Sequence, residues 1–130
     1  MATVTAQISL TSTDLLSDSL SISVSTDVTA ANTTGLARRP VTATAVDAAA
    51  TTLFTASDFS APAYLYVKNT DTTASDFIYV YDDTTSGDPV ILKLAGGDWA
   101  FMPLNAGLTL KAYATTNPTV VEFMVIGTDA

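Results

Sequence analysis

The side chains that could do chemistry in this chain are mostly aspartates and hydroxyls. Histidine and cysteine are absent, which removes imidazole bases, thiolate nucleophiles and the commonest nitrogen and sulfur metal ligands at once. Oxygen donors gather in NTDTTASD (residues 69–76) and DDTTSGD (residues 82–88). Neither run matches the full spacing of a calcium loop, with its glycine and closing glutamate, so turn-forming Asp is the expected role. The adjacent pair Asp82-Asp83 sends its carboxylates to opposite faces of a strand and makes a poor acid/base dyad. No Ser-x-x-Lys or G-x-S-x-G arrangement activates a hydroxyl. The sequence therefore offers no catalytic residues, no metal ligands and no cofactor site, and the chain reads as non-enzymatic. Asn32-Thr33-Thr34 fits the glycosylation sequon, but the start MATVTAQISL lacks the basic and apolar regions of a secretory signal.

Candidate binding residues are of two kinds. Arg38-Arg39 is a doublet in a chain with only three lysines besides, set too far inside to be a twin-arginine signal. Tyr79 and Tyr81 share a parity with Phe77 in DFIYVYDD, as Tyr64 and Tyr66 do in YLYV. Joined as a hairpin through NTDTTAS, these segments would form a cross-strand aromatic stripe. Such a stripe suits a core rim, a protein contact or, less well, a sugar. A third aromatic group lies in LKLAGGDWAFMPL (residues 92–104). If AGGD turns and WAFM is a strand, Trp99 and Phe101 lie on one face, with Ala100 and Met102 on the other. The expected role of the two rings is to fill a core; a ligand platform or an interface is the alternative.

The elements that must position these residues are strands. One glutamate and five cations leave little to furnish the solvent face of helices. In ATVTAQISL, Val4, Ala6, Ile8 and Leu10 alternate with hydroxyl and amide residues; in SLSISVSTDV, Leu20, Ile22, Val24 and Val28 do the same. Further strands are expected near 36–46, 63–69, 76–82, 90–95, 99–102, 108–114 and 119–126, about nine in all. Separators such as AGGD, NAG and TTNP supply turn chemistry. Ala-rich residues 48–56 are the one place a short helix would fit. A chain of 130 residues, 48% apolar and 14% charged, is expected to fold as a single all-β domain, an antiparallel, jelly-roll-like β-sandwich, with residues 1–10 as an N-terminal arm or edge strand. Its net charge of -8 repels nucleic-acid phosphates and anionic membranes. No window approaches the roughly 18 apolar residues of a membrane helix, and cytoplasmic synthesis is expected.

Several stretches together resemble a family. AYLYVKNTD, VILKLAGGDWAFMPL and LKAYATTNPTVVEFMVIGT, with the earlier TSTDLLSDSLSISVSTDVTA and TGLAR, are similar to small virion structural proteins of tailed bacteriophages, the cyanophage type in particular. Gly97-Asp98 stands where such proteins often carry Gly-Glu. The resemblance implies a β-sandwich unit that decorates or cements the outside of the head, with neither active site nor cofactor. Its implied partners are the major capsid protein and copies of itself, as a trimer or an array. A tail, fibre or glycan-binding module of the virion is the other reading. On the decoration reading, residues 1–10 pair with a neighbouring chain or lie on the shell, where Arg38 and Arg39 meet acidic groups. The apolar strands ISVSTDV and VVEFMVIG would need a partner at their edges.

Overall fold

Alternation decides the first element. The computed structural model describes residues 2–15, 17–30, 32–41, 50–55, 58–114 and 118–129. Strands β1 (Ala2–Ser12) and β2 (Leu20–Ala30) pair antiparallel along their whole length, Ile8 opposite Val24 and Leu10 opposite Ile22. Because side chains alternate, Val4, Ala6, Ile8, Leu10, Ile22, Val24 and Val28 share one face. Thr3, Thr5, Gln7, Ser9, Ser23 and Ser25 share the other. On that polar face the Thr5 hydroxyl donates to Asp27 (2.7 Å) and the Gln7 amide to Ser23 (3.4 Å). Ser12 closes the strand by accepting the Leu15 N–H at 3.0 Å. This hairpin, within Met1–Ala31, is one compact unit. Residues 2–10, within the stretch expected as an arm or edge strand, belong to a strand paired with β2 of the same chain.

Asn32–Ala130 is the second unit. It contains β3 (Asn32–Thr33), β4 (Ala37–Val41), β5 (Thr51–Phe54), β6 (Phe59–Asn69), β7 (Ile78–Asp82), β8 (Val90–Leu94), β9 (Trp99–Leu104), β10 (Leu110–Ala114) and β11 (Thr119–Asp129). One sheet has the order β5-β10-β7-β8; the other has β3-β11-β6-β9, with β4 also on β11. All described pairings are antiparallel. Leu65, Val67, Val121, Phe123 and Val125 of one sheet pack in a single core with Ile78, Val80, Leu110 and Ala112 of the other. Each of these side chains larger than Ala contributes roughly 1.5–3 kcal/mol by leaving water. The unit is an all-β antiparallel sandwich, as expected.

One buried amide ties the two layers at a corner. Asn69, at the end of β6, donates to the carbonyls of Asp76 (2.8 Å) and Leu94 (3.0 Å) and accepts the Asp71 N–H (3.0 Å). Residues 70–77 therefore cross from one sheet to the other, and the glycine turn before β9 rests on this crossing. A Cβ on Gly96 would stand 2.3 Å from the Thr73 carbonyl oxygen, and Gly97 has φ +87°. The first glycine permits close approach; the second permits the turn.

Several expectations change. The stretch NTDTTAS is a sheet-to-sheet crossing, so β6 and β7 do not pair and the stripe joining Tyr64 and Tyr66 to Tyr79 and Tyr81 does not form. Both strands need a buried face, and one on each layer supplies it. Residues 51–54 form β5 rather than a helix, since Thr51 and Thr52 precede inward Leu53 and Phe54; residues 48, 49 and 56 lie outside the described residues, as does 42–46 of the expected 36–46 strand. β11 is an interior strand, flanked by β6 and by β3 and β4, so its edges are covered within the chain. The described residues hold eleven strands rather than about nine.

Candidate functional site

Register builds a mixed row on the outer face of the five-stranded sheet. Arg38 of β4 lies opposite Glu122 of β11, Glu122 opposite Lys68 of β6, and Lys68 opposite Trp99 of β9. The next row outward from the groove is Met124, Tyr66 and Phe101. Their inward neighbours Val121, Phe123 and Val67 are core residues, so period-two alternation puts this whole set on the far side.

Glu122, the one glutamate of the chain, organises the row. Its Oε2 accepts from Arg38 Nε at 2.7 Å and its Oε1 accepts from the Tyr66 hydroxyl at 3.0 Å. These bonds, Arg38 first and Tyr66 second, hold its carboxyl below the ordinary range against a smaller opposing effect of burial, and Lys68 adds attraction. Tyr66 moves the other way, raised by burial and then by donating to Glu122. The Arg38 side chain is 70% exposed, leaving its terminal nitrogens toward solvent. Arg38, Lys68, Thr70, Val120 and Glu122 line an open groove. Beside it Trp99 is 55% exposed, and Tyr64 stacks on Phe101 with ring centroids 5.8 Å apart at 8°.

The WAFM alternation is as expected, but the role of its two faces is reversed. Ala100 and Met102 pack against the core, whereas Trp99 and Phe101 point out. The core between the sheets is already filled by Leu65, Val67 and Leu94, and small or flexible residues fit the remaining space. The ledge is a surface.

The predicted pair Arg38-Arg39 does not act as one patch. Neighbours on a strand face opposite ways: Arg38 joins the outer row, while Arg39 donates to the Thr52 carbonyl at 3.2 Å and lies 5.6 Å from the Phe123 ring centroid, spanning from β4 to β5. Tyr79 and Tyr81 also part company. Tyr79 is half-buried on the four-stranded sheet, stacked on Tyr113 at 5.2 Å, with Lys93 beyond it at 5.7 Å. Tyr81 is 0% exposed and meets Tyr113 edge-on at 5.8 Å, so it offers no surface to a partner. Lys68, Glu122 and Trp99 were not singled out together by sequence. The parity of VVEFMV around Glu122 was the available signal.

The aspartates serve the backbone. Asp71 accepts the Thr73 N–H at 2.7 Å, Asp82 the Thr84 N–H at 2.8 Å and Asp98 the Ala95 N–H at 3.0 Å. The Thr73 bond chiefly lowers Asp71; burial pushes Asp82 up, but hydrogen bonds from Thr85 and Thr84 outweigh it and leave it below its ordinary value. Asp83 instead pairs with Lys111 at 2.7 Å. Among the described residues no cluster of three acidic side chains could hold a metal.

The hairpin supplies the other unusual surface. Ile8, Leu10, Ile22 and Val24, neighbours across β1 and β2, are all exposed, Leu10 at 52% and Val24 at 61%. The chain matches no protein-family model, and no curated protein or solved structure is significantly similar to it.

Proposed function

We propose that this chain is a non-enzymatic structural protein of a tailed-phage virion, one that binds the outside of the head and stabilises it. The observation that carries the reading is the hairpin with its exposed apolar face. A two-stranded sheet is at best marginally stable alone in water. Here strands of eleven residues each, roughly 37 Å long at ~3.4 Å per residue, keep four aliphatic side chains in solvent. Both outer edges of this sheet lack a described strand partner, the geometry onto which another chain's strand can add. Covering that face would contribute on the order of 1 kcal/mol per aliphatic side chain. Repetition over a particle lattice would multiply it through effective concentration. The partners on this reading are the major capsid protein and further copies of the chain at the capsid surface.

The reading is tested by replacing Ile8→Ser together with Val24→Ser and measuring copies retained on purified particles. Both positions are exposed, so the fold should persist by circular dichroism. Occupancy should fall about tenfold or more, and particles should rupture at lower temperature. Unchanged occupancy would remove the hairpin from the interface. A second reading, a glycan- or receptor-binding module, is favoured by Trp99 and its neighbouring cations.

A further inference from the structure

We propose that the outer face of the five-stranded sheet binds an acidic saccharide, with a hexuronate carboxylate held between Arg38 and Lys68 and the C–H face of a sugar ring laid on Trp99. The proposal does not rest on virion assembly, because an isolated chain must show it. Two of the five cations of the chain flank the groove, although the whole molecule carries -8. Glu122 lies between them with both oxygens engaged, by Arg38 and by Tyr66. It orients the guanidinium and leaves the cluster of Arg38, Lys68 and Glu122 with a net positive charge, by two cations to one anion. The described hydrogen bonds of Arg38 use Nε alone, which frees the terminal fork for an incoming carboxylate.

Size argues for a sugar. Adjacent strands lie about 4.8 Å apart, so Trp99 stands one strand from Lys68 and roughly 14 Å across the sheet from Arg38, a span of two to three pyranose rings. The indole is exposed, and Tyr64 and Phe101 continue the aromatic surface. An extended acidic peptide would add most readily to the β9 edge, yet Pro103 lacks a donor there and interrupts such a ladder. A ligand read by side chains fits better. Nucleic acid fits poorly, since the chain carries thirteen carboxylates against five cations.

Trp99 is the single tryptophan, so its fluorescence reports the site directly. The full chain is titrated with an oligogalacturonate, with a neutral galactose oligomer and with oligoglutamate. The expected result is a saturable change with the uronate alone, weakened at high salt and at least about tenfold weaker in Lys68→Gln. Calorimetry with Trp99→Ala should show a comparable loss while circular dichroism is unchanged. A flat titration would overturn the proposal. So would an equal response to the neutral oligomer, or one to oligoglutamate matching the uronate.

Discussion

Asn69 has no exposed surface and directs its amide to the carbonyls of Asp76 and Leu94, in two separate segments, while accepting the Asp71 N–H. Its removal strands buried carbonyls, each costing about 1–3 kcal/mol when unpaired. Asn69→Ala is therefore expected to destabilise by roughly 2–4 kcal/mol and to lower Tm by roughly 10–15 °C, read by thermal unfolding. A drop within a few degrees would show that the corner is held by other means. The residue was invisible as a keystone in sequence, because an Asn after a strand reads as turn chemistry whether its amide meets water or a buried carbonyl. Arg38 and Arg39 taught the same lesson. Their adjacency suggests a patch, but neighbours on strand β4 face opposite sides.

Strand positions were legible because period-two patterning is local: β1, β2, β6, β9 and β11 follow their alternating residues. Which strands pair was not. A polar run between two tyrosine-rich strands looks alike as a hairpin loop or a crossing between layers, and only the buried bonds of Asn69 and the close seat of Gly96 separate the cases. Gly96→Ala should push the turn off the Thr73 carbonyl, which backbone cannot yield easily. A loss of roughly 1–3 kcal/mol is expected in urea unfolding, with a shifted Trp99 emission because β9 begins just after the turn. Gly97→Ala, strained by its positive φ alone, should cost about 1 kcal/mol. Equal stability of both variants and the parent would contradict the packing described for this turn. That Trp99 and Phe101 face outward is not carried by the sequence, for a related reason: parity tells which residues share a face but not which face meets the core.

For the whole molecule, three carboxyls, Glu122, Asp71 and Asp82, titrate below their ordinary values in the folded chain. Groups depressed on folding contribute stability above their unfolded values and lose it as pH falls through the folded ones. Tm should accordingly hold near neutrality and decline below about pH 4, less steeply in Glu122→Gln. Tyr66, raised on folding, has the opposite sign: its contribution is present below about pH 10 and fades above it. A Tm that stayed level from neutrality into strong acid would contradict these assignments. The central claim is that a layered β unit with an exposed aliphatic hairpin works by adhering to other proteins. On the proposed virion reading, quantitative mass spectrometry of purified, washed particles tests it most directly. The account predicts a fixed ratio to the major capsid subunit, lowered by Ile8→Ser with Val24→Ser; absence of the chain from washed particles would contradict it.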